Sequence, residues 1–248
     1  MKGEEYMDMK ISGSGQIAAG IYENIRISGS GRLTGLVRCE SFHTSGVSHG
    51  DGLECKKDFC VSGSSRFKKD VKAGSLSVSG SFSCGGTATV MEKFTCSGGV
   101  KINGSIKCES FYVSGSASIG GDVEAENVNI SDVLNCDGLL NAENILINFD
   151  INSDMNIGAI GGSKITIHKR ANISKNLTLL VSLFKNKSGT LYVKNAIEGD
   201  HITIESVSAQ RVSGRIVKIE KNCNINLVQY SEQIDISPDA KVEKIEKI

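Results

Sequence analysis

The sequence predicts an all-β fold, a three-sided parallel β-helix with rungs of about 17 residues. Three observations lead to it. A serine in ISG- or VSG-like triplets returns at Ser12, Ser28, Ser45, Ser62, Ser79, Ser97, Ser114 and Ser131, at gaps of 16 to 18 residues. Apolar residues keep phase with that serine, in pairs two residues apart. Glycine also keeps phase, directly after the serine (Gly13 to Gly115) and again seven residues after it (Gly35, Gly52, Gly86, Gly104, Gly121, Gly138).

Each element of the rung follows from these phases. The first side carries apolar residues three and one before the serine, as in Phe59/Val61, Leu76/Val78 and Phe111/Val113. The second side is marked five after it, at Ile17, Leu33, Phe67, Cys84, Ile102 and Ile119. The third side carries the pairs Val37/Cys39, Val71/Ala73, Ile106/Cys108 and Val123/Ala125. Spacing by two puts both side chains on one face of a strand. Three short inward-facing strands per repeat give three sides, and the glycines fall between sides, where a sharp corner often calls for positive φ. A helical repeat does not fit, because the first 150 residues sustain no 3.6-residue apolar stripe and the glycines would break helices.

The chain is organised around this coil. Residues 1–10 read as a polar leader and 11–148 as regular repeats. Residues 149–242 read as a less regular continuation, with an insertion at 169–189, and 243–248 as a charged tail. GGSKITI at 161–167 and EGDHITI at 198–204 carry the repeat forward. In the insertion, Leu177, Leu180, Val181 and Phe184 fall at helical spacing among lysines. A short projecting helix or hairpin there would suit a membrane surface or a partner. A loop folded back onto the coil is preferred, because the stripe is barely two turns.

Composition narrows the function. The 28 basic residues equal the 28 acidic ones, so there is no positive excess for nucleic acid. No signal peptide and no run of eighteen apolar residues is seen, which reads as a soluble cytoplasmic protein. The eight cysteines form no Cys-x-x-Cys pair and read as small core filler in a reducing compartment. His43, His49, His168 and His201 are scattered, with no triad and no metal spacing, and read as surface residues. Glu109, Glu126 and Glu143 share a corner phase; solvated charges that discourage sideways sheet pairing are preferred there to a metal stripe. No catalytic, cofactor or metal residue is assigned.

The ends of the coil carry the functional expectation. A β-helix ends in unpaired backbone groups that are capped or pair with another chain. Met9, Ile11, Ile17 and Ile21 at one end, and Ile234, Ile236 and Val242 at the other, are expected to meet copies of the same chain. Two alternatives belong to other classes. A β-helix acyltransferase keeps a strict eighteen-residue turn, which the seventeen-residue gaps break; a polysaccharide-active β-helix enzyme carries long loops with clustered carboxylates. An exported adhesin or ice-binding coil needs an export signal or flat threonine arrays.

The words VSGSASIGGDVEAENV (113–128) and GDVEAENVNISD (121–132) resemble the bactofilins, bacterial polymer-forming cytoskeletal proteins, and the resemblance covers residues 11–148. It implies a right-handed coil that assembles end to end without nucleotide or other cofactor. It also implies a scaffold role in cell shape or motility, with the inner membrane face or envelope proteins as partners. The chain departs from the family pattern in having one proline, Pro238, and repeats nearly throughout.

Overall fold

The structure is a computed structural model that describes residues 7–150, 154–170 and 189–248. Among the described residues there are twenty-three β-strands and no helix. Every pairing between them is parallel, and each strand lies against the one a rung away in sequence, so the fold is a parallel β-solenoid. The chain divides into two compact units, residues 1–125 and 126–248.

In the first unit the three sides form as the phases require. On the first side Ile25 pairs with Phe42, Phe42 with Phe59, Phe59 with Leu76 and Leu76 with Phe94. On the second, Phe67 pairs with Cys84, Cys84 with Ile102 and Ile102 with Ile119. On the third, Val37 pairs with Leu53, Leu53 with Val71 and Val71 with Ala88. These residues are buried, as are Val113, Ile119 and Val123; Ala125 is half-buried. Each buried Phe, Leu or Ile contributes roughly 1.5–3 kcal/mol of transfer free energy, and the aromatic rings interlock. Phe59 meets Phe42 and Phe82 edge to face, with centroids 5.2 and 5.5 Å away, and Phe94 stacks on Phe111 at 5.0 Å.

The cross-section is filled by compensation between rungs. Gly50 occupies an inward position where its neighbours have Leu33 and Phe67, and a Cβ there would lie 2.5 Å from the Phe67 ring. The ring thus uses the room that Gly50 leaves. Beside it, the buried hydroxyls of Ser48 and Ser65 hydrogen-bond to each other, satisfying two polar groups inside an apolar wall.

The corner glycines have a different cause from the one expected. Among the described residues only Gly35 has a positive glycine φ, +77°. From Gly29 to Gly115 the glycine after the zero-phase serine is required by close approach instead. A Cβ on Gly46 would lie 2.0 Å from the carbonyl oxygen of Gly29 in the rung before, and Gly63, Gly80 and Gly98 repeat the distance. Successive corners are stacked too tightly for a side chain.

The second unit uses longer strands that bend through more than one side: Val133–Phe149, Met155–Lys169, Leu191–Ile204, Val207–Ile219 and Asn224–Ile236. Irregularities such as the shift between Ile157 and Ile160 mark the bends. Its core is a set of aliphatic ladders: Ile157–Val193–Ala209–Ile225, Ile160–Ile197–Val212–Val228 and Ile167–Ile204–Ile219. A glycine ladder, Gly162–Gly199–Gly214, repeats the close-packed corner of the first unit. Residues 241–247, most of them expected as a charged tail, form a further strand, Lys241–Lys247, on Asn224–Ile236.

Candidate functional site

In each unit a set of ladders stops among the described residues. In the first, the strand Met7–Ile11 pairs with Gly20–Ile27, and Ser14–Ile17 pairs with Ser30–Leu33; neither has a second strand partner among the described residues. The lower edges of this rung therefore carry the unpaired backbone groups of a sheet edge. Ile11 and Ile17 are buried beneath the next rung, whereas Met9 is half-buried and Met7 is 68% exposed.

Ile21 is not an inward residue of that rung. Gly20 pairs with Val37 and Tyr22 with Cys39, so Ile21 shares the outward phase of Arg38 and is 48% exposed. The inward phase of this side is held by Gly20 and Tyr22. The Tyr22 ring lies 3.5 Å from where a Gly20 Cβ would sit, and its hydroxyl donates to the Ala18 carbonyl at 3.0 Å.

In the second unit Ile234 and Ile236 stand at the end of ladders whose earlier members, Ile202/Val217 and Ile204/Ile219, are fully buried. Both are half-buried, because no described strand covers them. Val242 and Ile245 lie over Ile225 and Val228; Val242 is half-buried and Ile245 is 51% exposed. Of the eight large apolar residues that are exposed among those described, Met7, Ile21, Ile245 and Ile248 belong to these two places. The other four, Val47, Met91, Leu139 and Tyr192, lie along the sides. Leu177, Leu180, Val181 and Phe184 lie outside the described residues.

The cysteines are built into the wall. Cys39, Cys84, Cys108 and Cys136 are buried at inward positions, and Cys60 is the most accessible of the eight. Burial pushes the thiols of Cys96 and Cys223 up to about 11 and that of Cys108 to about 12, so they are held protonated. A hydrogen bond shared with Cys55, together with burial, raises Cys39 further.

Two polar features lie in the second unit. One is an open cleft of about 670 Å³, lined by side chains including Asp137, Asn156, Tyr192, Lys194, Gln210 and Asn226. The other is a charged corner that sequence reasoning missed. His168, Glu205 and Glu220 each directly follow one member of the ladder Ile167–Ile204–Ile219, so three rungs bring them together. His168 Nδ1 lies 3.5 Å from Glu220 Oε2 and 3.9 Å from Glu205 Oε2. Lys218 Nζ holds the other Glu220 oxygen at 3.0 Å, and Lys221 Nζ the other Glu205 oxygen at 3.4 Å. Next to it, burial pulls the Lys169 ammonium below its usual range, against the opposing charges of Glu205, Asp154 and Asp150. In-register stacking is the signal that could have found the corner, but the spacing hides it. Glu205 and Glu220 are 15 residues apart, and the insertion places His168 and Glu205 37 apart.

The geometry defines a class, the parallel β-solenoids. Among known proteins, no family model matches the chain and no solved structure matches it. One curated relative does: the chain is 30% identical over 89 residues to the uncharacterized protein YhbF of Bacillus subtilis (strain 168). The match spans 36% of this chain and about a third, 33%, of that relative's length.

Proposed function

We propose that the chain is a non-enzymatic scaffold that self-assembles end to end through its terminal rungs, a bactofilin-like cytoskeletal polymer supporting cell shape or motility. The observation that carries this reading is the exposure of ladder-end residues: Met9, Ile234, Ile236 and Ile245 sit in phases that are buried wherever another rung follows. Docking a copy on such an edge would pair its backbone groups and cover these side chains in one step, by β-augmentation. The partner is a second copy of this chain, and the envelope-associated machinery at the inner membrane face is what the scaffold would organise. Nucleic acid is not a partner in this reading, since charge is balanced overall.

Negative-stain electron microscopy of the purified protein tests it. Filaments or end-joined oligomers are expected; uniformly monomeric particles at high concentration and physiological salt would sink it. A second reading, a polysaccharide-active β-helix enzyme, draws on the cleft beside Tyr192 and Lys194. Depolymerisation of a glycan panel by the purified protein, lost in Lys194→Ala, would favour that reading over the scaffold.

A further inference from the structure

We propose that His168, Glu205 and Glu220 form a binding site for one divalent transition-metal ion of the zinc type. The placement is imposed by the backbone. Glu205 N–H donates to the Ile167 carbonyl at 2.9 Å, and Glu220 N–H to the Ile204 carbonyl at 2.8 Å, so the three residues stand on consecutive rungs of one corner. Like charges in register repel, yet this corner stacks two glutamates and points an oxygen of each at the same imidazole nitrogen.

The atoms are divided between two jobs. Each carboxylate gives its Oε1 to a lysine, Lys221 for Glu205 and Lys218 for Glu220. Each keeps its Oε2 towards His168 Nδ1. Glu205 Oε2 also accepts the Lys169 backbone N–H at 3.3 Å. The three donor atoms lie within 4.8 Å of one another. Bond lengths of about 2.0–2.2 Å to nitrogen and carboxylate oxygen set tetrahedral ligands roughly 3.4 Å apart. The 3.5 and 3.9 Å separations to the imidazole are near that value, and small side-chain rotations close the rest. Two carboxylates and one imidazole make a mixed oxygen–nitrogen set that leaves a position for water. The lysines on the outer oxygens would act as the supporting shell that orients such ligands.

The corner runs from partly open to shielded, with the His168 side chain 39% exposed and that of Glu220 27%. The Glu205 side chain is only 11% exposed. Ser206, which follows it, is 1% exposed, and its Oγ has no hydrogen-bond partner among the described residues. The competing account is an imidazole that bridges the two carboxylates with no metal.

Calorimetric titration of the full chain with zinc chloride, under reducing conditions, separates the two. One zinc per chain is expected, with binding weakened at least about 100-fold in His168→Ala and in Glu220→Gln, and unchanged in Cys60→Ser, the control for thiol capture. Glu220→Gln preserves shape, and its thermal unfolding in the absence of zinc shows whether the rungs remain intact. Zinc should raise the unfolding midpoint of the wild type and of Cys60→Ser, but not that of Glu220→Gln. The proposal is overturned if the wild type takes up no more zinc than His168→Ala and Glu220→Gln do, or if those two variants bind as tightly as the wild type.

Discussion

The same sequence word should tolerate a methyl group at one rung and reject it at another. Gly63 and Gly13 both follow a zero-phase serine, in VSG and ISG. A Cβ on Gly63 would stand 2.0 Å from Gly46 O and 2.5 Å from Ser45 O, whereas Gly13 has nothing within 4 Å. Reaching an ordinary contact of 3.4 Å from 2.0 Å would need a shift of about 1.4 Å. That shift is opposed by three backbone hydrogen bonds to the rung before: Ser62 N–H and Gly63 N–H to Thr44 O at 2.8 and 3.3 Å, and Ser64 N–H to Gly46 O at 2.9 Å. Losing two of them at about 1 kcal/mol each, with about 1–3 kcal/mol of overpacking, gives a cost of about 3–5 kcal/mol for Gly63→Ala. Gly13→Ala should stay within about 0.5 kcal/mol of wild type. Urea unfolding followed by far-UV circular dichroism reads both. Equal losses in the two variants, or no loss in Gly63→Ala, would refute close approach as the reason for the corner glycines.

Other outcomes follow from the core and its charges. Phe67→Ala should cost about 3–5 kcal/mol in the same assay, since the ring fills the space over Gly50 and leaves a cavity when removed. Native thiol labelling at neutral pH should modify Cys60 first and leave buried Cys96, Cys108 and Cys223 unmodified until the protein unfolds, as mass spectrometry of the labelled peptides will show. The Gly35 N–H and the Lys68 ammonium hold the Asp51 carboxyl below its ordinary range. A carboxyl depressed by folding stabilises above its unfolded value, about 4, and loses that contribution as pH falls through the folded value. Asp51→Asn should thus lower stability at neutral pH and flatten its fall in acid, measured by urea unfolding across pH.

The rung was legible in the sequence because its cause is local and periodic. A side chain that must face inward every other residue, three times per turn, leaves Phe59, Phe67 and Val71 at fixed phases whatever the surface does. The reason for the glycines was not legible, because close approach between Gly46 and Gly29 is a relation between rungs while φ is a property of one residue. The face of Ile21 was not legible for a related reason: hydrophobicity does not give it, and the register that pairs Gly20 with Val37 does. The charged corner was hidden by unequal rung lengths, which break the sequence phase while the register of Ile167, Ile204 and Ile219 preserves the spatial one.

Assembly through open rungs is tested most directly by charging them. Met7 and Ile245 are 68% and 51% exposed, so Met7→Glu and Ile245→Glu put carboxylates on the two edges at little expense to the fold. Sedimentation velocity over a range of protein concentrations should show wild-type protein as large, concentration-dependent species and the double variant as monomer, with unchanged unfolding midpoints. Wild type that sediments as a monomer throughout, or a double variant that assembles as the wild type does, would contradict the account.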